Sequence, residues 1–344
     1  MDAALLRGMF QPNSSSCGAL ALLVWGCTGS FIGGEAPGDP GAGPDAGPWA
    51  DAGTPGGGGD VADAAPGGCA EMDILFVVDD SLSMGEEQTN LAANFPGFID
   101  VLEQRYGSNG APIDYRVAVT TTGRSVDYTV SYPIGYPSGP TNIPVSTQGA
   151  NGAFLDDPAC GPPRRWLERG DGDVTGVFSC QAQVGTRGPN LEMPLLATEL
   201  AFVDRVADGT NAGFLRPNAL LAIVILTDED DCSRRDDNFV IGSFFSDICS
   251  TEPGFDDVGR HIDTLDTVAG GRERWAVAVI AGPGPGICVS EFGDAFEGRR
   301  LRQFVGGVGD NAVFSSICQG DLASALDDAL DTFGEACQAL PPIP

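Results

Sequence analysis

From Cys69 onward, short wholly apolar runs alternate with segments whose apolar residues recur every three or four positions, a pattern that restricts the chain to a parallel sheet covered by helices. A strand that is apolar on both faces must be buried on both, and helices packed above and below a parallel sheet provide that. The runs predict strands at Asp73 to Val78, Tyr115 to Thr121, Leu220 to Leu226, Trp275 to Gly282 and Ala312 to Ile317. Between them, helical spacing links Leu91, Phe95, Phe98, Ile99 and Leu102, with a kink expected at Pro96, and then Leu191, Leu195, Leu196, Leu200 and Val203. Further helices are expected over Val258 to Val268, around Phe296 to Val305, and through Leu322, Leu326, Leu330 and Phe333. The fold class is therefore α/β: one doubly wound, mostly parallel sheet flanked by helices, over residues 69–340, with a long polar, Gly/Pro-rich insertion at about 124–184.

The first 68 residues follow different rules. Gly18 to Gly26 (GALALLVWG) is apolar and ends at Cys27, short of the ~20 residues that cross a bilayer but matching a secretory core of ~7–15. Val24-Trp25-Gly26-Cys27 resembles a lipobox, so residues 1–27 read as a signal peptide of the lipoprotein type with Cys27 lipidated; an ordinary signal peptide is the alternative. Residues 28–68 collapse into Gly, Pro, Ala and Asp, with six acids and no base, and predict a disordered tether. The expected location is outside the cytoplasm: an outer- or cell-surface-membrane lipoprotein, otherwise a periplasmic or extracellular protein.

A formal net charge of −30 argues against nucleic acid and anionic lipid as partners and for cations. Any membrane contact is expected only through the lipid anchor, and the chain is expected to be monomeric. All 18 basic residues are arginine, so Walker loops, protein kinases and pyridoxal or Schiff-base enzymes lack the ammonium group they need. One histidine, His261, reads as structural and leaves little room for zinc sites or a Ser-His-Asp relay.

Of ten cysteines, eight fall in the domain without any CxxC pair, which in an exported chain reads as disulfides. Cys160 with Cys180 and Cys232 with Cys249 would close local loops, and Cys288 with Cys318 would tie neighbouring strand ends. Cys69 with Cys337 would join the start of the first strand to the end of the last helix.

Ligands of such sheets bind beyond the carboxyl ends of the strands. Two strands there run out into acids: Asp79-Asp80-Ser81-Leu82-Ser83 and Thr227-Asp228-Glu229-Asp230-Asp231. Facing carboxylates repel, a divalent cation relieves the repulsion, and an oxygen-only donor set suits hard ions. VVDDSLS followed by a helix, and ILTDEDD closing a buried strand, resemble the von Willebrand factor type A (VWA) domain and its metal-ion-dependent adhesion site. The resemblance covers roughly Met72 to Phe333, although Glu229 stands where the family often has glycine. It implies a Rossmann-like fold and a Mg2+ or Ca2+ (or Mn2+) site formed by Asp79, Ser81, Ser83, Thr186 and Asp228. It also implies a non-enzymatic adhesion module whose cation bridges to an acidic side chain of a protein ligand, and the cysteine-bearing, lipid-anchored form resembles bacterial envelope proteins with this domain. A metal-dependent phosphoryl or ester hydrolase is the alternative, against which the missing lysine counts.

Blander readings stand beside these. Ser83-Met84-Gly85-Glu86 is also a capping box for the next helix. Asp230, Asp231, Asp236 and Asp237 read as solvated loop charges, with a second calcium site as the lesser alternative. Arg164, Arg165 and Arg169 read as surface charges of the insertion, with partner contact as the alternative.

Overall fold

The computed structural model describes residues 68–132, 141–242, 249, 254–290, 293–320 and 322–341; residues 1–67, on which the expected signal peptide, Cys27 and the expected tether fall, lie outside the described residues. In chain order the elements begin with β1 (Glu71–Val78), α1 (Gly85–Glu103), β2 (Asp114–Thr121), β3 (Val126–Tyr132), β4 (Thr141–Thr147), β5 (Leu167–Glu168) and α2 (Val174–Gln181). They continue with α3 (Pro194–Phe202), α4 (Asp204–Ala207), β6 (Leu220–Leu226), β7 (Phe239–Ile241), α5 (Val258–Ala269) and β8 (Trp275–Ala281). The last are β9 (Cys288–Ser290), β10 (Gly293–Ala295), α6 (Arg299–Val308), β11 (Ala312–Ser316) and α7 (Ala323–Ala339).

The central sheet has the order β11-β8-β6-β1-β2-β5, parallel throughout except for the short edge strand β5. From β1 the chain steps to β2 on one side, then returns past β1 and builds β6, β8 and β11 on the other. That reversal falls between β1 and β6, and in open sheets of this kind ligands bind beyond the carboxyl ends of the strands at such a point. Alternate residues of β1 feed two cores. Ile74, Phe76 and Val78 pack with Phe95 and Phe98 of α1, Phe178 of α2 and Phe333 of α7. Leu75 and Val77 pack with Leu195 of α3, Ile262 of α5 and Phe304 of α6. All seven residues of β6 are buried, each of its Leu, Ile and Val side chains contributing about 1.5–3 kcal/mol of transfer free energy.

The proline expected to disturb α1 is accommodated. Pro96 lacks the N–H that would reach the Ala92 carbonyl, and the Ser179 hydroxyl of α2 donates to that carbonyl instead, at 3.1 Å. All four expected disulfides are formed: Cys69–Cys337, Cys160–Cys180, Cys232–Cys249 and Cys288–Cys318. Among the described residues no helix is long and apolar enough to cross a membrane.

The insertion is more structured than its composition suggests. β3 pairs with β4 antiparallel and with β7 parallel, giving a second, three-stranded sheet over a core that includes Tyr128, Leu196 and Cys232. The alternation in VDYTVSY is a half-buried strand signal diluted by its Gly- and Pro-rich neighbours. Leu191 precedes α3 rather than lying in it, and α6 begins at Arg299, later than the apolar spacing suggests, because the Asp230 carboxylate accepts the Arg300 and Leu301 N–H groups at that end.

Candidate functional site

The register of β1 and β6 sets the geometry. Val78 pairs with Leu226, so Asp79 and Thr227 leave the sheet side by side. The Asp79 N–H donates to the Leu226 carbonyl at 2.9 Å. The Asp79 carboxylate, fully buried, accepts from the Ser81 N–H at 2.8 Å and from the Thr227 hydroxyl at 2.6 Å. Those bonds fold 79–83 into a turn in which the Ser81 and Ser83 hydroxyls lie 3.3 Å apart. Ser81 is buried and Ser83 exposed, so the hydroxyl pair runs from the interior to solvent. The expected capping box does not form: α1 starts after Met84 with no side-chain cap, which leaves the Ser83 hydroxyl beside the Asp228 carboxylate.

Thr186 arrives from a distant loop, and Gln88 brings it there. The buried Gln88 amide donates to the Asp79 carbonyl and to the Gly185 carbonyl, each at 2.8 Å, and accepts from the Gly185 N–H at 3.1 Å. Three residues on, the Gly188 N–H donates to the Asp80 carbonyl at 2.7 Å, and a side chain at Gly188 would collide with the Asp80 carboxylate. Thr186 is thereby held against Gly85 at the start of α1. Asp79, Ser81, Ser83 and Asp228 thus meet at the ends of β1 and β6, and Thr186 lies against the start of α1. Gln88, Thr227 and Glu192 were missed, because nothing in their local sequence distinguishes a staple or a buried acid from an ordinary helix or loop residue.

The electrostatics are one-sided. Burial pushes the Asp228 carboxyl up to about 8; the Asp79 charge adds to this, the Ser83 hydroxyl opposes it, and Glu229 and Glu87 raise it further. Its Oδ1 is buried without a hydrogen-bond partner. Asp79 is raised by burial against its hydrogen bonds, and Asp80 is pushed to about 7 by burial and then by Asp79. Glu87, in the first turn of α1, also reaches about 7, mainly through burial. Glu192 is raised well above the usual range by burial, then by Glu229 and Asp79. The charges acting most strongly on Asp228 are all acidic, so a proton or a cation is needed to relieve the cluster. Among the described residues no three His, Cys, Asp or Glu side chains are arranged to hold a metal by themselves. The five-residue set differs in kind, since it has two carboxylates and three hydroxyls; hard oxygens with one orphaned buried carboxylate oxygen fit Mg2+, Ca2+ or Mn2+.

No protein-family model matches the chain, nor does any curated protein. Among solved structures it is similar to proximal thread matrix protein 1 from the mussel byssus, at 10% identity over 77% of this chain and 49% of that one, with a TM-score of 0.38. It is also similar to the pilus adhesin SpaC from Lactobacillus rhamnosus GG in its open conformation, at 12% identity over 76% of this chain and 30% of that one, with a TM-score of 0.37. The chain spans less than half the length of either, and scores this low carry no argument.

Several other candidates have local partners. Asp231, fully buried, accepts from the Leu195 N–H at 3.1 Å and the Ser233 hydroxyl at 2.5 Å and pairs with Arg300 at 3.1 Å. Asp230 caps α6, so neither acid is a solvated loop charge. Asp236 pairs with Arg234 and Asp237 with Arg124 at the surface. His261 is buried with Nδ1 3.0 Å from Glu199, as a structural residue would be. Arg164 pairs with Glu168 and Asp171, Arg165 with Asp156, and Arg169 with Glu103, so these arginines are committed within the chain.

Proposed function

We propose that the chain is a VWA-type, metal-dependent protein-binding module of the cell envelope, exported and tethered through Cys27. The observation that carries this reading is the orphaned, buried Asp228 Oδ1 in an acid cluster rimmed by the Ser81 and Ser83 hydroxyls, with Thr186 against the start of α1. Asp79 and Asp228 would supply the negative charge, and the hydroxyls neutral oxygens. A divalent cation held there keeps much of its charge and offers a partner carboxylate an attachment point. Thr227 and the Ser81 N–H orient Asp79, and Gln88 fixes the Thr186 loop; both exist without any ligand. Leu82, 76% exposed between the two serines, and Phe296, 41% exposed with its N–H on the Asp228 carbonyl, give the rim an apolar component suited to a protein surface.

Calorimetric titration of the chelator-treated protein with Mg2+, Ca2+ and Mn2+ tests the reading. Binding by the wild type and none at this site in Asp228→Asn is expected; equal binding by both removes the metal assignment. A pull-down from envelope extracts with and without chelator tests the partner. Turnover of phosphate or acyl esters that disappears in Asp79→Asn would instead favour a hydrolase.

A further inference from the structure

Glu192 is fully buried, and neither of its carboxylate oxygens has a hydrogen-bond partner. It lies outside the five-residue set, and nothing in the adhesive reading uses it. Its backbone is fixed on both sides: the Glu192 carbonyl accepts from the Cys232 N–H at 2.8 Å, and the next amide, of Met193, donates to the Thr122 carbonyl at 3.3 Å. Three segments meet at this point, one leaving β2, one entering α3 and one leaving β6. The segment after β6 contributes Glu229, half-buried, whose carboxyl faces that of Glu192. The segment after β2 contributes Thr122, whose buried hydroxyl lies beside the Asp79 carboxylate. The charges bearing most on Glu192, those of Glu229 and Asp79, are both acidic.

We propose that Glu192 and Glu229, with the Thr122 hydroxyl, hold a second divalent cation adjacent to the first. Two carboxylates and a hydroxyl with no imidazole or thiolate among them select a hard ion, and Ca2+, which accepts six to eight oxygens at flexible angles, suits a set in which half-exposed Glu229 leaves room for water. The second ion would clamp the Thr186-bearing segment, which Glu192 ends, to the strand end that carries Asp228. It rests on different side chains from the first, so the two assignments fail separately.

Counting calcium equivalents on the full-length, chelator-treated protein by calorimetry tests it. The wild type should take up two, and Glu192→Gln and Asp228→Asn one each. A wild type that binds one ion, lost in Asp228→Asn and untouched by Glu192→Gln, overturns the second site and keeps the first. One ion lost only in Glu192→Gln does the reverse. Terbium gives a second readout, because Tyr128 packs in the same core as Cys232, whose N–H donates to the Glu192 carbonyl. Tyrosine-sensitised terbium emission should appear in the wild type, persist in Asp228→Asn, fall in Tyr128→Phe and be competed away by Ca2+. No sensitised emission from the wild type overturns the proposal, as does emission unchanged by Glu192→Gln.

Discussion

Four consecutive acids leave β6, and Asp228 differs from Asp230 and Asp231 in what answers its carboxylate. Asp230 and Asp231 are buried but answered: the first by the N–H groups of Arg300 and Leu301, the second by Arg300, Ser233 and the N–H of Leu195. Asp228 keeps a buried oxygen with no partner, and Glu229 faces another carboxyl. The Glu199 cluster shows the answered state in full. Burial there would push the carboxyl up, but bonds from His261, Arg235 and Arg260 overcome it and hold Glu199 at about 2, while Asp228 sits at about 8. Burial raises both carboxyls, and the sign of the charges around each decides whether that rise is offset or reinforced.

The sharpest way to break that comparison is to remove one acid of each kind. Asp231→Ala strands the Arg300 guanidinium, 14% exposed, and should lose about 3–5 kcal/mol in urea unfolding. Asp228→Asn in chelated protein should lose nothing or gain, because it removes a carboxyl whose ionisation the fold opposes. Equal destabilisation by both would erase the distinction.

Next in size is the effect of the ion. Ca2+ or Mg2+ at a hundredfold its dissociation constant should raise wild-type stability by about 2.7 kcal/mol per site. Asp228→Asn should lose the contribution of the first site, and Asp231→Asn should keep it on a lower baseline. Thermal unfolding with and without chelator reads this directly.

The pH response should run in opposite directions for the two kinds of acid. Asp228 moves from 3.8 in the unfolded chain to about 8 when folded, so the folded protein holds its proton more tightly. The stability this provides is complete below about pH 4 and is lost as pH rises towards 8; Asp80 and Glu87, both at about 7, act in the same direction. Glu199 falls from 4.5 to about 2, so its contribution is present above about pH 4.5 and lost as pH falls towards 2. Urea midpoints of chelated protein between pH 5 and 8 should decline, and the decline should flatten in Asp228→Asn. Saturating Ca2+ should flatten it too, because an ion replaces the proton.

The contrast also separates what was legible in the sequence from what was not. The five parallel strands were legible because each is a continuous apolar run, a pattern that water tolerates only inside a sheet covered on both faces. Asp79, Ser81, Ser83 and Asp228 were legible because they sit immediately after such runs, where strand direction alone delivers them to one rim. The second sheet was not: β3 is half-exposed, its pattern is weak, and its partners β4 and β7 are brought together only by tertiary contacts. Nor could the sequence say that Asp231 is answered and Asp228 is not, since Arg300 lies 69 residues beyond one and 72 beyond the other. Glu192 was hidden for the same reason: its isolation depends on what fails to reach it.

The smallest expected effect serves as the baseline for the others. Arg105 and Asp331 form an ion pair 2.7 Å long, but the Asp331 side chain is 76% exposed. Water already solvates both charges, and ordering two long side chains offsets most of the attraction, so Asp331→Asn should change stability by less than about 1 kcal/mol, and by less still in high salt. The same chemical change, an acid made neutral, is then expected to be nearly silent where water answers the charge, severe where arginine does, and neutral or favourable where nothing does. If Asp331→Asn cost as much as Asp231→Ala, the ranking would reflect general charge balance on an acidic chain rather than the local answer to each carboxylate.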